Sequence, residues 1–139
     1  MTRIIKTTTP GKEKTQLSKA IVITIREFMC QTQVNEGARD MVAFVILALK
    51  EISRGIDKSV EAWEKRGYWV KADKYRMAWL WTDELSRKLD QVYQQEDWKK
   101  ITDLLAEVMS KFITIKVSDR HRMGKPWIGA LQEYKKTPS

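Results

Sequence analysis

Side chains able to make and break bonds are scarce in this chain of 139 residues, which holds one histidine, His121, and one cysteine, Cys30. A Ser-His-Asp or Cys-His pair needs an imidazole held against its nucleophile by a rigid element. His121 stands instead in the stretch SDRHRMGKPWIGALQEYKKTPS, where glycines and prolines interrupt any period, and reads as a solvated tail residue. A di-iron helical bundle requires Glu-x-x-His on facing helices, and no Glu stands three residues before His121. A single Cys excludes an intramolecular disulfide and a zinc site built from several thiolates, and Cys30 beside Met29 reads as a small core residue. Neither G-x-x-x-x-G-K-[ST] nor G-x-G-x-x-G occurs, so the glycine loops that cradle phosphates are absent. Asp83 and Glu84 follow Trp81 and read as boundary carboxylates paired to Lys or Arg. The chain is therefore not read as an enzyme, and no catalytic residue, metal or cofactor is expected.

The informative chemistry is charge. Lys and Arg number 26 against 18 Asp and Glu, a formal net charge of +8 with a pI near 9.6. Such a balance favours anionic partners, nucleic acid first and an acidic protein or a membrane surface after it. The excess is not evenly spread. Residues 1–14 carry Arg3, Lys6, Lys12 and Lys14 against Glu13. Residues 65–76 carry Lys65, Arg66, Lys71, Lys74 and Arg76 against Asp73. Residues 118–139 carry Arg120, Arg122, Lys125, Lys135 and Lys136 against Asp119 and Glu133. Tyr68, Trp69 and Trp127 interleave rings of the kind that stack on bases.

The elements that must position these charges are helical. The richest stretch, Tyr68 to Tyr93, repeats Val70, Met77, Trp81, Leu85, Leu89 and Val92 at spacings of three, four or seven, which places them along one side of a 3.6-residue helix. A first helix runs from Lys14 to near Gln33 on Leu17, Ile21, Ile25 and Phe28. A second begins near Ala38 and continues through Gly55 to Lys65-Arg66-Gly67, where cations meet the negative end of the dipole and Gly supplies the left-handed cap. A fourth starts with Trp98 behind Glu96-Asp97, carries Ile101, Leu105, Val108 and Phe112, and ends near Val117. Residues 1–13 read as a flexible arm, 14–117 as one bundle domain, and 118–139 as a basic tail that could dock on it. The opening residues lack the apolar core of a signal peptide, and no run reaches the roughly 18 apolar residues of a spanning helix. A cytoplasmic protein without membrane contact is the expectation.

The short connections predict an all-α, up-down-up-down antiparallel four-helix bundle. In that topology the start of the first helix, the turn between the second and third, and the end of the fourth share one pole. The three basic runs would converge there, with Lys65, Arg66, Lys71, Lys74, Arg76, Arg120, Arg122 and Lys125 as the expected nucleic-acid ligands.

The segment from Gly37 to Val117 resembles the four-helix-bundle family of 23S rRNA intervening-sequence proteins and Avd, the accessory variability determinant of diversity-generating retroelements. The resemblance lies in GARDMVAFVILALKEI, an Arg near the start of a long apolar face; in KADKYRMAWLWTDELSRKL, a Lys-Ala opening before apolar pairs; and in DWKKITDLLAEVMSKFITI, an aromatic-led helix with Glu before an apolar end. It implies a non-catalytic basic bundle that forms a homo-oligomer, typically a pentamer, and binds RNA together with a partner reverse transcriptase. The alternatives are a bundle that serves protein assembly alone and a small helical subunit of an RNA-guided, CRISPR-type complex.

Overall fold

The computed structural model describes residues 10–118 and 120–136, and the described residues form five α-helices and no strand: α1 (Pro10–Phe28), α2 (Glu36–Lys65), α3 (Trp69–Gln94), α4 (Trp98–Lys111) and α5 (Ala130–Lys136). Up to residue 9 the expected arm lies outside the described residues. Residues 10–13 are the first turn of α1 rather than linker. Proline's fixed φ and missing N–H suit a first helical turn, so Pro10-Gly11 opens the helix instead of preceding it.

α2 is a single helix of 30 residues that runs through Gly55 without interruption. Asn35 caps its start by accepting a hydrogen bond from the Ala38 N–H at 2.8 Å. At its end the Tyr68 N–H reaches the Trp63 carbonyl at 2.9 Å and the Gly67 N–H the Glu64 carbonyl at 3.0 Å, with Gly67 at φ +82°. Those paired bonds satisfy carbonyls that the helix end would otherwise leave open, and they turn the chain sharply into α3. The α3 terminus repeats the device with a non-glycine, Glu96, at φ 55°. Its Glu96 and Asp97 N–H groups reach the Tyr93 and Val92 carbonyls. α4 stops at Lys111, short of Val117; the β-branched run Ile113-Thr114-Ile115 that follows is a poor helix continuation.

α2 packs against α1, α3 and α5, while α4 packs against α3 and α1. This explains two runs that no single amphipathic stripe would bury. Ala20 to Ile25 of α1 and Met41 to Ile46 of α2 are buried at every position, because neighbours cover these helices on several sides. The covering on one side of α2 comes from the C-terminal segment. Trp127 is 6% exposed, the Leu131 N–H donates to the Asp40 carboxylate at 2.8 Å, and the Tyr134 hydroxyl donates to the Asp90 carboxylate.

The core face of α3 differs from the expected one. Its buried residues are Ala72, Thr82, Leu85, Ser86, Leu89 and Tyr93, and Trp81 and Val92 pack partly buried against the core. Val70 and Met77 point outward at 69% and 68% exposure. Thr82 and Ser86 are small enough for a close helix contact, and each hydroxyl donates to a carbonyl of its own helix, Trp79 at 2.8 Å and Asp83 at 3.0 Å. Among the described residues no helix is long and apolar enough to cross a membrane.

Candidate functional site

The turn joining α2 to α3 is an exposed part of the described surface that is both apolar and basic, and helix lengths explain why. One turn into α1, Glu13 and Lys14 share a depression with Ile52, Gly55, Ile56 and Tyr75. α4 stops where Phe112 meets Trp81 edge-on, ring centroids 5.1 Å apart. From Ile56 to Lys65 α2 runs nine steps, about 14 Å at 1.5 Å per residue, of which the first turn of α1 accompanies only part, so the α2–α3 hairpin ends beyond its described neighbours. At the tip Tyr68 and Trp69 are 53% and 61% exposed.

The cations of this hairpin are not equivalent. Arg76 is held by Glu64 at 2.6 Å and by Asp73, and hydrogen bonds first to Glu64 and then to Asp73 raise its pKa further above the ordinary value. Its charge is committed within the hairpin. Lys65 has Glu61 one turn back at 3.2 Å, a solvated pair of small energy. Lys71 places its ammonium 4.4 Å from the Trp63 ring centroid, a cation–π contact that orients it without neutralising it. Arg66 and Lys74 make no ion pair with any described residue. Once Glu61 and Glu64 are included, residues 61–76 carry five bases against three acids, a net of +2 concentrated on Arg66, Lys71 and Lys74.

From the tip inward, aromatic rings and cations alternate. Trp63, under Lys71, meets the Tyr75 ring at 4.9 Å. The Tyr75 hydroxyl accepts from Lys14 Nζ at 2.9 Å, and the same ammonium lies 4.5 Å from the Trp79 ring centroid. Trp79 stacks on Trp81 at 6.0 Å. Lys14 is the first residue of the first helix in the sequence reading, with no partner assigned; its meeting with Trp79 joins residues 65 positions apart and has no local signature.

The C-terminal cations lie elsewhere, which corrects the single basic pole. Arg26, in the last turn of α1, donates to the Val117 carbonyl at 3.2 Å. The chain then passes through Arg120, Arg122 and Lys125 to the buried Trp127 and to α5, which is anchored at Asp40 near the start of α2 and at Asp90 near the end of α3. All these anchors are at the end of the molecule away from the hairpin. The tail turns back because its apolar residues find the uncovered side of α2, and it carries Arg120, Arg122 and Lys125 away from Lys65, Arg66, Lys71 and Lys74.

The residues considered for bond chemistry are also placed. His121 Nδ1 accepts from the Met123 N–H at 3.3 Å and so serves a local turn. Cys30 is exposed in the α1–α2 connection rather than buried. Asp83 pairs with Arg87 at 2.9 Å, whereas Glu84 is exposed. Among the described residues no group of three His, Cys, Asp or Glu side chains is arranged to hold a metal ion. Comparison of the chain with protein-family models, with curated proteins and with solved structures returns no match.

Proposed function

We propose that the protein is a non-catalytic helical accessory protein that binds single-stranded RNA at its α2–α3 hairpin. The observation that carries this reading is the tip itself, where Tyr68 and Trp69 stand in solvent beside Arg66, Lys71 and Lys74, three cations without an acidic partner among the described residues. Aromatic faces accept bases of any identity, and unpaired cations release counterions when they meet phosphates. The contacts of α1 with α2, α2 with α3, α3 with α4 and α4 with α1 support an antiparallel four-helix bundle as the scaffold, with α5 added on α2. On this reading the partner is a reverse transcriptase and its RNA, as the resemblance to the Avd class implies, and the protein acts in the cytoplasm as a homo-oligomer.

Fluorescence anisotropy with labelled single-stranded RNA tests it. The Arg66→Ala/Lys74→Ala pair is expected to flatten the log-log salt dependence by about 1.4, at about 0.7 per phosphate contact. The pair Lys88→Ala/Lys99→Ala, exposed near the far end of α3 and the start of α4, leaves that slope unchanged. Trp69→Ala is expected to weaken binding by about 1–3 kcal/mol through lost stacking. Equal losses from both double variants would show that net charge and not a site does the binding.

One observation favours assembly as a second reading. Val70, Met77 and Leu80 form an exposed apolar strip on α3, and such strips mark protein contacts. If the hairpin binds no RNA, this strip makes the protein an assembly bundle, and sedimentation equilibrium reads its self-association directly.

A further inference from the structure

A cleft lies between α1 and the end of α4, about one and a half helical turns along α3 from the hairpin cations. Lys14 and Lys19 wall one side and Lys111 and Lys116 the other, with Trp79 and Phe112 at the base, and no acidic residue lines it. Lys19, Lys111 and Lys116 make no ion pair with any described residue. Lys14 is fixed by the Tyr75 hydroxyl and the Trp79 ring, so its ammonium is oriented before any ligand arrives. Like charges gathered around one cleft repel one another, and an anion placed among them relieves that repulsion.

The cleft is continuous with the hairpin. Tyr75 lines the groove that holds Lys71 and Lys74 and also hydrogen-bonds Lys14 of the cleft. Along α3, Lys74 and Trp79 are five residues apart, about 7.5 Å, and the whole path from Trp69 to Trp79 is about 15 Å. A compact anion would fill the cleft alone, but the ladder of rings and cations leading into it suits a polymer with a charge at every step.

We propose that this cleft is a second phosphate-binding site, which takes the backbone of the same RNA strand downstream of the bases stacked at the hairpin tip. This rests on the hairpin reading for the identity of the ligand, while the cleft's own residues set the second contact. A strand long enough to span both sites would gain affinity and salt dependence over one that occupies the tip alone.

The test is anisotropy with a labelled trinucleotide of uridine and with oligouridine of about nine nucleotides, a length within the usual range of single-strand footprints. In Lys111→Gln/Lys116→Gln the longer strand is expected to lose about 1.4 from its salt slope, two contacts at about 0.7 each, with trinucleotide binding unchanged. Lys111→Arg/Lys116→Arg keeps the charge and is expected to keep the slope, which separates lost phosphate contacts from a disturbed fold. If the Gln pair leaves the slope for the longer strand intact while Arg66→Ala/Lys74→Ala reduces it, the cleft is not a site and the hairpin reading stands. If the Gln pair reduces it and the hairpin pair does not, the cleft binds and the hairpin reading falls. If neither variant alters it, both fail.

Discussion

Raising the pH should detach the C-terminal segment by ionising two phenols. Tyr93 is buried and its hydroxyl donates to the Arg39 carbonyl at 2.9 Å, while the Tyr134 ring meets it edge-on with centroids 5.1 Å apart. Burial, with Tyr134 as a second cause, pushes the Tyr93 phenol up to about 12. Burial and the hydrogen bond to Asp90 push Tyr134 up to about 12 as well. Both folded values lie above the unfolded one of about 10, so the fold favours the neutral phenols. The stability they lend is complete below pH 10 and is lost as pH rises through 12. At about pH 11 each phenol costs about 1.4 kcal/mol by linkage. Tyr134 is partly open to water, which screens its share to about half, so the pair should cost about 2 kcal/mol between about pH 9 and pH 11. Lysines titrate in the same interval, so the informative quantity is a difference between proteins. Urea unfolding followed by circular dichroism would be run at both pH values on the wild type and on Tyr93→Phe/Tyr134→Phe. The variant should be less stable at the lower pH, by about 1 kcal/mol per lost hydrogen bond, and should lose about 2 kcal/mol less than the wild type on going to the higher pH. An identical loss in both proteins would refute the linkage and, with it, the docking of Tyr134 against Tyr93 and Asp90.

Three further expectations concern the hairpin and the core. Gly67→Ala should destabilise the protein by about 1 kcal/mol in a urea titration, because φ is +82° and nothing lies within 4 Å of the added Cβ, so the whole cost is backbone conformation. Phe44→Ala should cost about 3–5 kcal/mol in the same titration, since that ring is fully buried. Met77→Ser should change stability by less than about 0.5 kcal/mol; a large loss there would restore Met77 to the core face that its spacing suggests.

The first four helices are legible because each carries a local signal, whereas α5 is not, since no period marks Ala130–Lys136. α2 continues through Gly55 on an unbroken apolar face, Gly67 stops it, and Asp97 opens α4 by accepting from the Lys100 N–H at 3.2 Å. The face of α3 was misread at its start. Periodicity counts apolar residues as buried, and where a hairpin overhangs its neighbours that inference fails, so Val70 and Met77 joined the wrong stripe. Thr82 and Ser86 were missed for the opposite reason, since their hydroxyls are satisfied within α3 and burial costs them little. The fate of the tail was illegible. Leu131 and Asp40 are 91 residues apart, and no period in residues 118–129 announces the contact. The hairpin half of the candidate site could be read from Lys65-Arg66-Gly67-Tyr68-Trp69, because adjacent residues build it. The lysine cleft could not, because its walls come from opposite ends of the chain.

The C-terminal cover on α2 also sets an order of events in synthesis. Sequence neighbours can pair as soon as they appear, α1 with α2 and then α2 with α3. The side of α2 that α5 covers must wait for residues made about 90 positions later, roughly 5–20 s at ordinary elongation rates. During that interval the run from Met41 to Ile46, buried all round in the finished molecule, has one flank without its partner. The nascent chain therefore passes through a stage stickier than its product, and a truncation before Trp127 would hold it there permanently.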